Sequence, residues 1–198
     1  DYTGEKRQLF IRSFIEDALK PSEIKFDFKK YNAVILFPLF HEITPEFLKA
    51  FSNKQLVLFD PQGFLRKLGE KNSDGLYPVQ QSNWESLKPF VKRVGILKLS
   101  NEDLQGDDEQ KIKDLVAMGF SLVILTRGEK STLVMGKNLP LSEVPTLKVK
   151  VLDSAGAGEI FAVAFMYKYF LTYDPVQSVK FANRVTALKI SGQIYGII

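Results

Sequence analysis

Asp153-Ser154-Ala155-Gly156-Ala157-Gly158-Glu159-Ile160-Phe161-Ala162 joins a β-branched stretch (Val149, Val151) to a long apolar segment, Ile160 to Leu171. The two glycines accept dihedrals and close approaches that a Cβ forbids. The apolar segment reads as a helix, whose first N–H groups have no partner within it. Those groups, with the positive end of the helix dipole, form an anion site, and phosphate is the usual guest. Glu159 stands in the first turn of that helix. A carboxylate beside an anion hole suits a proton abstraction during attack on phosphate better than phosphate binding alone. The plainer readings are a glycine turn that packs a helix on a sheet, and an acid that complements the helix dipole.

Two familiar phosphate motifs fail here. Gly156-x-Gly158 could begin a dinucleotide fingerprint, but Phe161 stands where the third glycine belongs, and the turn follows several strand-like runs rather than the first. Gly128-Glu129-Lys130-Ser131 resembles a P-loop only loosely. Glu129 takes the place of the glycine before the lysine, and Thr132 to Met135 reads as a strand instead of a helix.

Outward from the turn, short apolar runs alternate with helical segments. Ala33 to Phe37, Leu56 to Phe59, Val94 to Leu97 and Leu122 to Leu125 suit strands buried on both faces of a parallel sheet. Between them, Thr44-Pro45 opens a helix to about Phe51, Trp84 to Val91 reads as helical, and Asp107 to Met118 places Ile112, Leu115 and Val116 on one face. Leu133 to Met135 and Leu147 to Leu152 are expected to form an antiparallel extension. Asp174-Pro175 opens a last helix, Val176 to Ile190, with Gln177 at the capping-box position. The alternation predicts a doubly wound, mostly parallel α/β sheet with flanking helices. In such sheets ligands bind beyond the carboxyl ends of the strands. That rule gathers Asp60, Lys98 to Ser100, Thr126 and Asp153 to Gly158 on one rim.

The 198 residues include no cysteine and a single histidine, which excludes disulfides, thiolate catalysis and the usual transition-metal sites. A net charge of +4 with interspersed signs describes a mixed solvated surface, not a nucleic-acid stripe. No apolar run approaches the ~20 residues of a membrane span, and the start carries no signal-peptide pattern. The composition is that of a soluble, cytoplasmic protein.

The segment around Gly156 resembles the signature of the PfkB (ribokinase-like) carbohydrate kinases, Asp-Thr-x-Gly-Ala-Gly-Asp-x-Phe, with Glu159 in place of the catalytic aspartate. Asp60-Pro61-Gln62-Gly63-Phe64-Leu65-Arg66 is similar to a loop of archaeal-type members. Leu97-Lys98-Leu99-Ser100-Asn101-Glu102-Asp103 resembles the Lys-x-Asn-x-x-Glu stretch. Thr126-Arg127-Gly128-Glu129-Lys130 resembles the Thr-x-Gly-x-x-Gly nucleotide loop, with Ser131 at its last glycine. Phe181-Ala182-Asn183 and Ala187-Leu188-Lys189 are similar to the late helix that borders adenine. The resemblance runs from Gly4 onward and implies one α/β kinase domain over residues 1–198, without the N-terminal third that carries the substrate-gripping glycine pair and lid.

The resemblance further implies ATP-dependent phosphoryl transfer to a sugar or polyol hydroxyl, with a nucleoside kinase or a non-catalytic relative as alternatives. A homodimer is compatible with it, and neither nucleic acid nor membrane is an expected partner. Gly156, Ala157 and Gly158 would donate N–H groups to the transferred phosphoryl, each such fixed donor contributing about 3–4 kcal/mol. Glu159 would be the base. Lys98, Ser100, Thr126, Gly128 and Asn183 would meet the nucleotide, although Asn183 could instead be a satisfied buried amide. Asp103 would help hold Mg2+, and Asp153 belongs to a monovalent-cation loop in the family, or simply ends a strand and bonds the turn backbone.

Overall fold

In this computed structural model, residues 2–3, 6–14, 17–103 and 105–193 are described. Strands β1 (Tyr2–Thr3) and β2 (Lys6–Arg7) pair antiparallel. A second small sheet joins β3 (Phe10–Ile11), β6 (Arg66–Leu68) and β7 (Tyr77–Gln81) in the order β3-β7-β6. The main sheet contains β4 (Ala33–Leu36), β5 (Leu56–Phe59), β8 (Ile96–Ser100), β9 (Leu122–Thr126), β10 (Ser131–Gly136) and β11 (Leu139–Pro145). Their order is β11-β10-β9-β8-β5-β4. Strands β4, β5, β8 and β9 run parallel, while β10 and β11 complete the sheet antiparallel.

Side chains alternate across a strand, so each buried strand feeds two cores. Phe59, Leu97, Leu99, Val123 and Leu125 face one layer, with Phe47, Leu48, Leu87, Phe90, Ile112 and Leu115. Leu58, Ile96, Ile124 and Val134 face the other, with Phe161, Ala162, Phe165, Met166, Val179 and Ala182. The first layer includes α1 (Asp108–Met118), and the second is built from α2 (Ala157–Thr172) and α3 (Pro175–Ile190). Among the described residues no helix is long and apolar enough to cross a membrane.

The caps follow the sequence. Asp107 accepts the Gln110 N–H at 2.8 Å, and Asp174 accepts from the Gln177 N–H at 3.0 Å and Nε2 at 2.9 Å. The segments expected as helices after Thr44 and at Trp84 fold as 3₁₀ turns, Phe47–Ala50 and Trp84–Phe90. Pro89 lies inside the second and has no N–H to extend an α-helical ladder.

The partner of β10 differs from expectation. It is Leu139–Pro145, not Leu147 to Leu152, because the Lys137-Asn138 turn folds the chain straight back with Gly136 opposite Leu139. Residues 147–152 instead run without regular structure toward the anion turn, with Leu147, Val151 and Leu152 exposed. The small sheet also departs from the sequence reading, in which Asn72 to Gly75 appeared only as a turn. That turn is real, with the Gly75 N–H on the Asn72 carbonyl at 3.0 Å, but it joins two strands.

Candidate active site

Strand β8 delivers the central charge. Ile96 faces the α2 layer, so by period two Lys98 faces it as well. Lys98 is buried, and its Nζ donates to Asp60 Oδ2 at 2.7 Å across the carboxyl end of β5. Asp60 Oδ1 accepts the Gln62 N–H at 3.3 Å, which shapes the loop. That loop is held by Gly63, where a Cβ would lie 2.7 Å from the Pro38 carbonyl oxygen. A paired, hydrogen-bonded charge can persist at this depth, whereas an unpaired one would be strongly penalised.

The Lys98 ammonium also meets the anion turn: a Cβ at Gly158 would stand 2.9 Å from its Nζ. A side chain at Gly158 would therefore have to displace the Lys98 ammonium. Gly156 is required by backbone conformation, with φ 70° and open space around a notional Cβ. Gly156 thus opens α2 in the left-handed region as its N-cap, with no side-chain cap bond. The Ala157 N–H is taken by the Ser154 carbonyl (3.1 Å) and the Ile160 N–H by the Gly156 carbonyl (3.0 Å). Among the described residues no acceptor is paired with the N–H groups of Gly156, Gly158 or Glu159. Three N–H groups without an acceptor among the described residues thus lie at a helix start, with the buried Lys98 ammonium against Gly158, an arrangement suited to an anion. Of the three expected donors Ala157 is engaged, and the Glu159 amide is available in its stead.

Around this spot lies an open cleft of about 1420 Å³. It is lined by Lys98, Ser100, Asp103, Thr126, Gly128, Asp153, Gly156, Ala157, Gly158, Glu159 and Asn183, so the fold brings every candidate site residue into one cleft. Thr126 ends β9 beside Ser100, with Oγ1 donating to the Leu99 carbonyl at 3.1 Å. Gly128 has φ 59° in the following turn, where Arg127, Ser131 and Glu143 interlock. The Ser131 hydroxyl and the Arg127 charge hold the Glu143 carboxyl below its usual range. Arg127 is thereby committed to bracing the loop. Arg66 bonds Gln62 at 3.0 Å, and both line the cleft.

Ser100 and Asp103 belong together, the Ser100 N–H donating to Asp103 Oδ2 at 2.8 Å. Burial pushes the Asp103 carboxyl up to about 6; the Ser100 N–H opposes this and the nearby Asp60 charge adds to it. A cation would relieve both raising effects. Among the described residues no three acidic or histidine side chains converge as a metal cage. One carboxylate in the same cleft as the start of α2 would suit Mg2+, which keeps several waters and binds through one or two carboxylates plus substrate phosphates.

Asn183 lines the cleft, yet its amide is fully used. Oδ1 accepts from Thr132 Oγ1 at 2.9 Å, and Nδ2 donates to the Val144 and Pro145 carbonyls at 3.4 and 3.2 Å. The side chain thus ties α3 to β10 and β11. One turn later Thr186 Oγ1 is buried on the cleft wall, with no hydrogen-bond partner among the described residues. Thr186 was not evident from sequence, although its spacing of three from Asn183 puts both on one helix face. Asp60 was visible only as part of a loop. Its role as the partner of Lys98 depends on a pairing between strands that are 38 residues apart.

A model of the pfkB family of carbohydrate kinases matches residues 82–193, more than half of the chain. The chain belongs to that family. The pfkB match takes in β8, the loop after β9, the glycine turn that opens α2, and α3. The chain is 29% identical over 140 residues to an ATP-dependent 6-phosphofructokinase of Thermoanaerobacterium thermosaccharolyticum, covering 68% of this chain and 40% of that relative. The chain thus spans well under two thirds of that relative's length. In three dimensions it is similar to a pyrophosphate-dependent kinase of the ribokinase family in complex with a pyrophosphate analogue and myo-inositol. The TM-score is 0.75 at 21% identity, covering 93% of this chain and 66% of the other. A ribokinase of Thermotoga maritima gives a TM-score of 0.67 at 22% identity, covering 88% and 56%. These likenesses establish the ribokinase-like fold, a mainly parallel sheet with flanking helices.

Proposed function

We propose that this chain contributes the phosphoryl-transfer site of an ATP-dependent kinase acting on a hydroxyl of a small sugar or polyol. The observation that carries the reading is the buried Lys98 ammonium against Gly158, beneath the free N–H groups at the start of α2. These donors are positioned before any ligand arrives, so they stabilise charge on a transferring phosphoryl without reorganising. Glu159 borders the same spot from the first turn of α2 and takes the acceptor's proton as the hydroxyl attacks. Ser100 and Asp103 line the same cleft and would hold Mg2+, which bound there would neutralise phosphate charge. Asp60 holds Lys98 in place.

The donor preference rests on the far end of the cleft. Besides Thr126 and Gly128 its lining includes Asn183 and the Thr186 hydroxyl, which has no hydrogen-bond partner among the described residues, and this extent would leave room for a base beside the phosphates. Pyrophosphate would leave that end unused. In this reading residues 1–198 act as one α/β unit in the cytoplasm. A second reading, a nucleotide or sugar binder without turnover, draws on Glu159 itself, whose carboxylate reaches one methylene further than the aspartate of the family signature.

The test is donor consumption by the whole protein, with ATP and with pyrophosphate, against sugars, polyols and nucleosides. ATP-dependent phosphorylation of a sugar or polyol is the expected result. Phosphorylation of nucleosides alone, or from pyrophosphate alone, would redirect the proposal, and ATP binding without turnover would select the second reading.

A further inference from the structure

The loop leading into the anion turn is held from behind by an ammonium. Lys189, in the last turn of α3, donates from Nζ to the Asp153 carbonyl at 3.3 Å, to Asp153 Oδ2 at 3.3 Å, and to the Ala155 carbonyl. The Ile190 carbonyl accepts the N–H groups of Leu152 and Asp153 at 2.8 and 3.2 Å, and Asp153 Oδ1 accepts the Ala155 N–H at 2.8 Å. The end of α3 and the loop are therefore laced together immediately ahead of Gly156. The Lys189 side chain is only 20% exposed, although the Asp153 carboxylate it meets is largely open. The Ala155 N–H and then the Lys189 ammonium keep that carboxylate below its usual range.

Two carbonyls and a carboxylate around one positive charge form an all-oxygen set of the sort that suits a hard cation. Here the set is filled by a side chain. A free potassium ion and a lysine ammonium carry the same charge, and both cannot share three oxygens at contact distance without repulsion. The residues present therefore do not fit the monovalent cation that the family resemblance implies at Asp153. We infer that Lys189 is a positioning residue that replaces a monovalent cation behind the anion hole, making phosphate binding at Gly156–Gly158 independent of potassium. The inference rests on the phosphate-binding reading above. Because the ammonium is tethered to α3, its occupancy does not depend on salt composition.

The test is calorimetric titration of the whole protein with ATP and Mg2+, in potassium chloride and in choline chloride at equal ionic strength. The parent protein is expected to bind equally in both, within about twofold. A loop that needs a free cation would bind roughly 5- to 150-fold more weakly in choline, the usual span of coupling between two ligands, and that result overturns the inference. Lys189→Met is expected to weaken binding in choline by a factor in the same range and to regain it in potassium, which can enter the vacated oxygens. A variant unaffected in choline, or weakened alike in both salts, also overturns it. Should the variant fail to fold, the comparison of salts on the parent protein decides alone. Absence of ATP binding by the parent in either salt would remove the phosphate-binding reading itself, an outcome distinct from binding that requires potassium.

Discussion

Lys98 and Asp60 illustrate how much one residue can depend on another. Each is buried, and their 2.7 Å contact is what makes either tolerable there. Lys98→Met is expected to leave an uncompensated carboxylate and to cost about 3–5 kcal/mol, a fall of roughly 6–20 °C in Tm. Asp60→Asn combined with Lys98→Met removes both charges and should recover most of that loss, while phosphate affinity stays low because the ammonium is gone. Thermal unfolding with a parallel ATP titration separates the two effects. A double variant no more stable than Lys98→Met would contradict the pairing as the reason both charges persist. Gly158 and Gly156 look alike in the sequence but differ in cause, the first being constrained by the lysine beneath it and the second by its positive φ.

At the scale of elements, α3 has two tasks. Its middle is bonded to β10 and β11 through Asn183, and its C-terminal end to the anion loop through Lys189. Asn183→Ala should strand the Thr132 hydroxyl and two carbonyls, costing about 1–3 kcal/mol, or roughly 2–12 °C in Tm. An unchanged Tm would show that the amide is not a structural tie. The elements themselves were largely legible from sequence. The parallel strands are unbroken apolar runs, and Asp107 and Asp174 announced the starts of α1 and α3. The glycine turn was the clearest structural signal: the glycine spacing and the following apolar run announced a turn into a helix, and Gly156 opens α2 with a positive φ. The choice between residues 139–145 and 147–152 as partner of β10 was not legible, since both stretches carry apolar residues and only the two-residue turn decides. Nor was the sheet of β3, β6 and β7 foreseen, whose short strands pair across distant sequence. Lys189 was quoted only as part of the late-helix resemblance, because its meaning lies in three oxygens of a loop 34 to 36 residues earlier.

For the whole molecule, the cleft places a cost on the empty protein that ligands would offset. Asp103 has its pKa raised from 3.8 to about 6, chiefly by burial, so the native state holds this proton more tightly than the unfolded chain does. The sign follows: the stabilising contribution is complete below about pH 3.8 and is lost as pH rises through about 6. Denaturant unfolding of the metal-free protein should therefore show this contribution decline between those values, and Asp103→Asn should abolish that part of the pH dependence. A variant with the parent's pH profile would show that Asp103 is not the group responsible.

The same cleft joins the free N–H groups at the start of α2, a buried ammonium and Glu159, and the central claim is that they act together in transferring a phosphoryl group. The most direct measurement is turnover and ATP affinity of the whole protein carrying Glu159→Gln, which keeps the size of the side chain and removes its charge. Turnover is expected to fall by roughly 10²–10⁴ with ATP affinity nearly unchanged, as loss of a positioned base requires. A Glu159→Gln enzyme that turns over like its parent would reduce Glu159 to a helix-end charge and contradict the account.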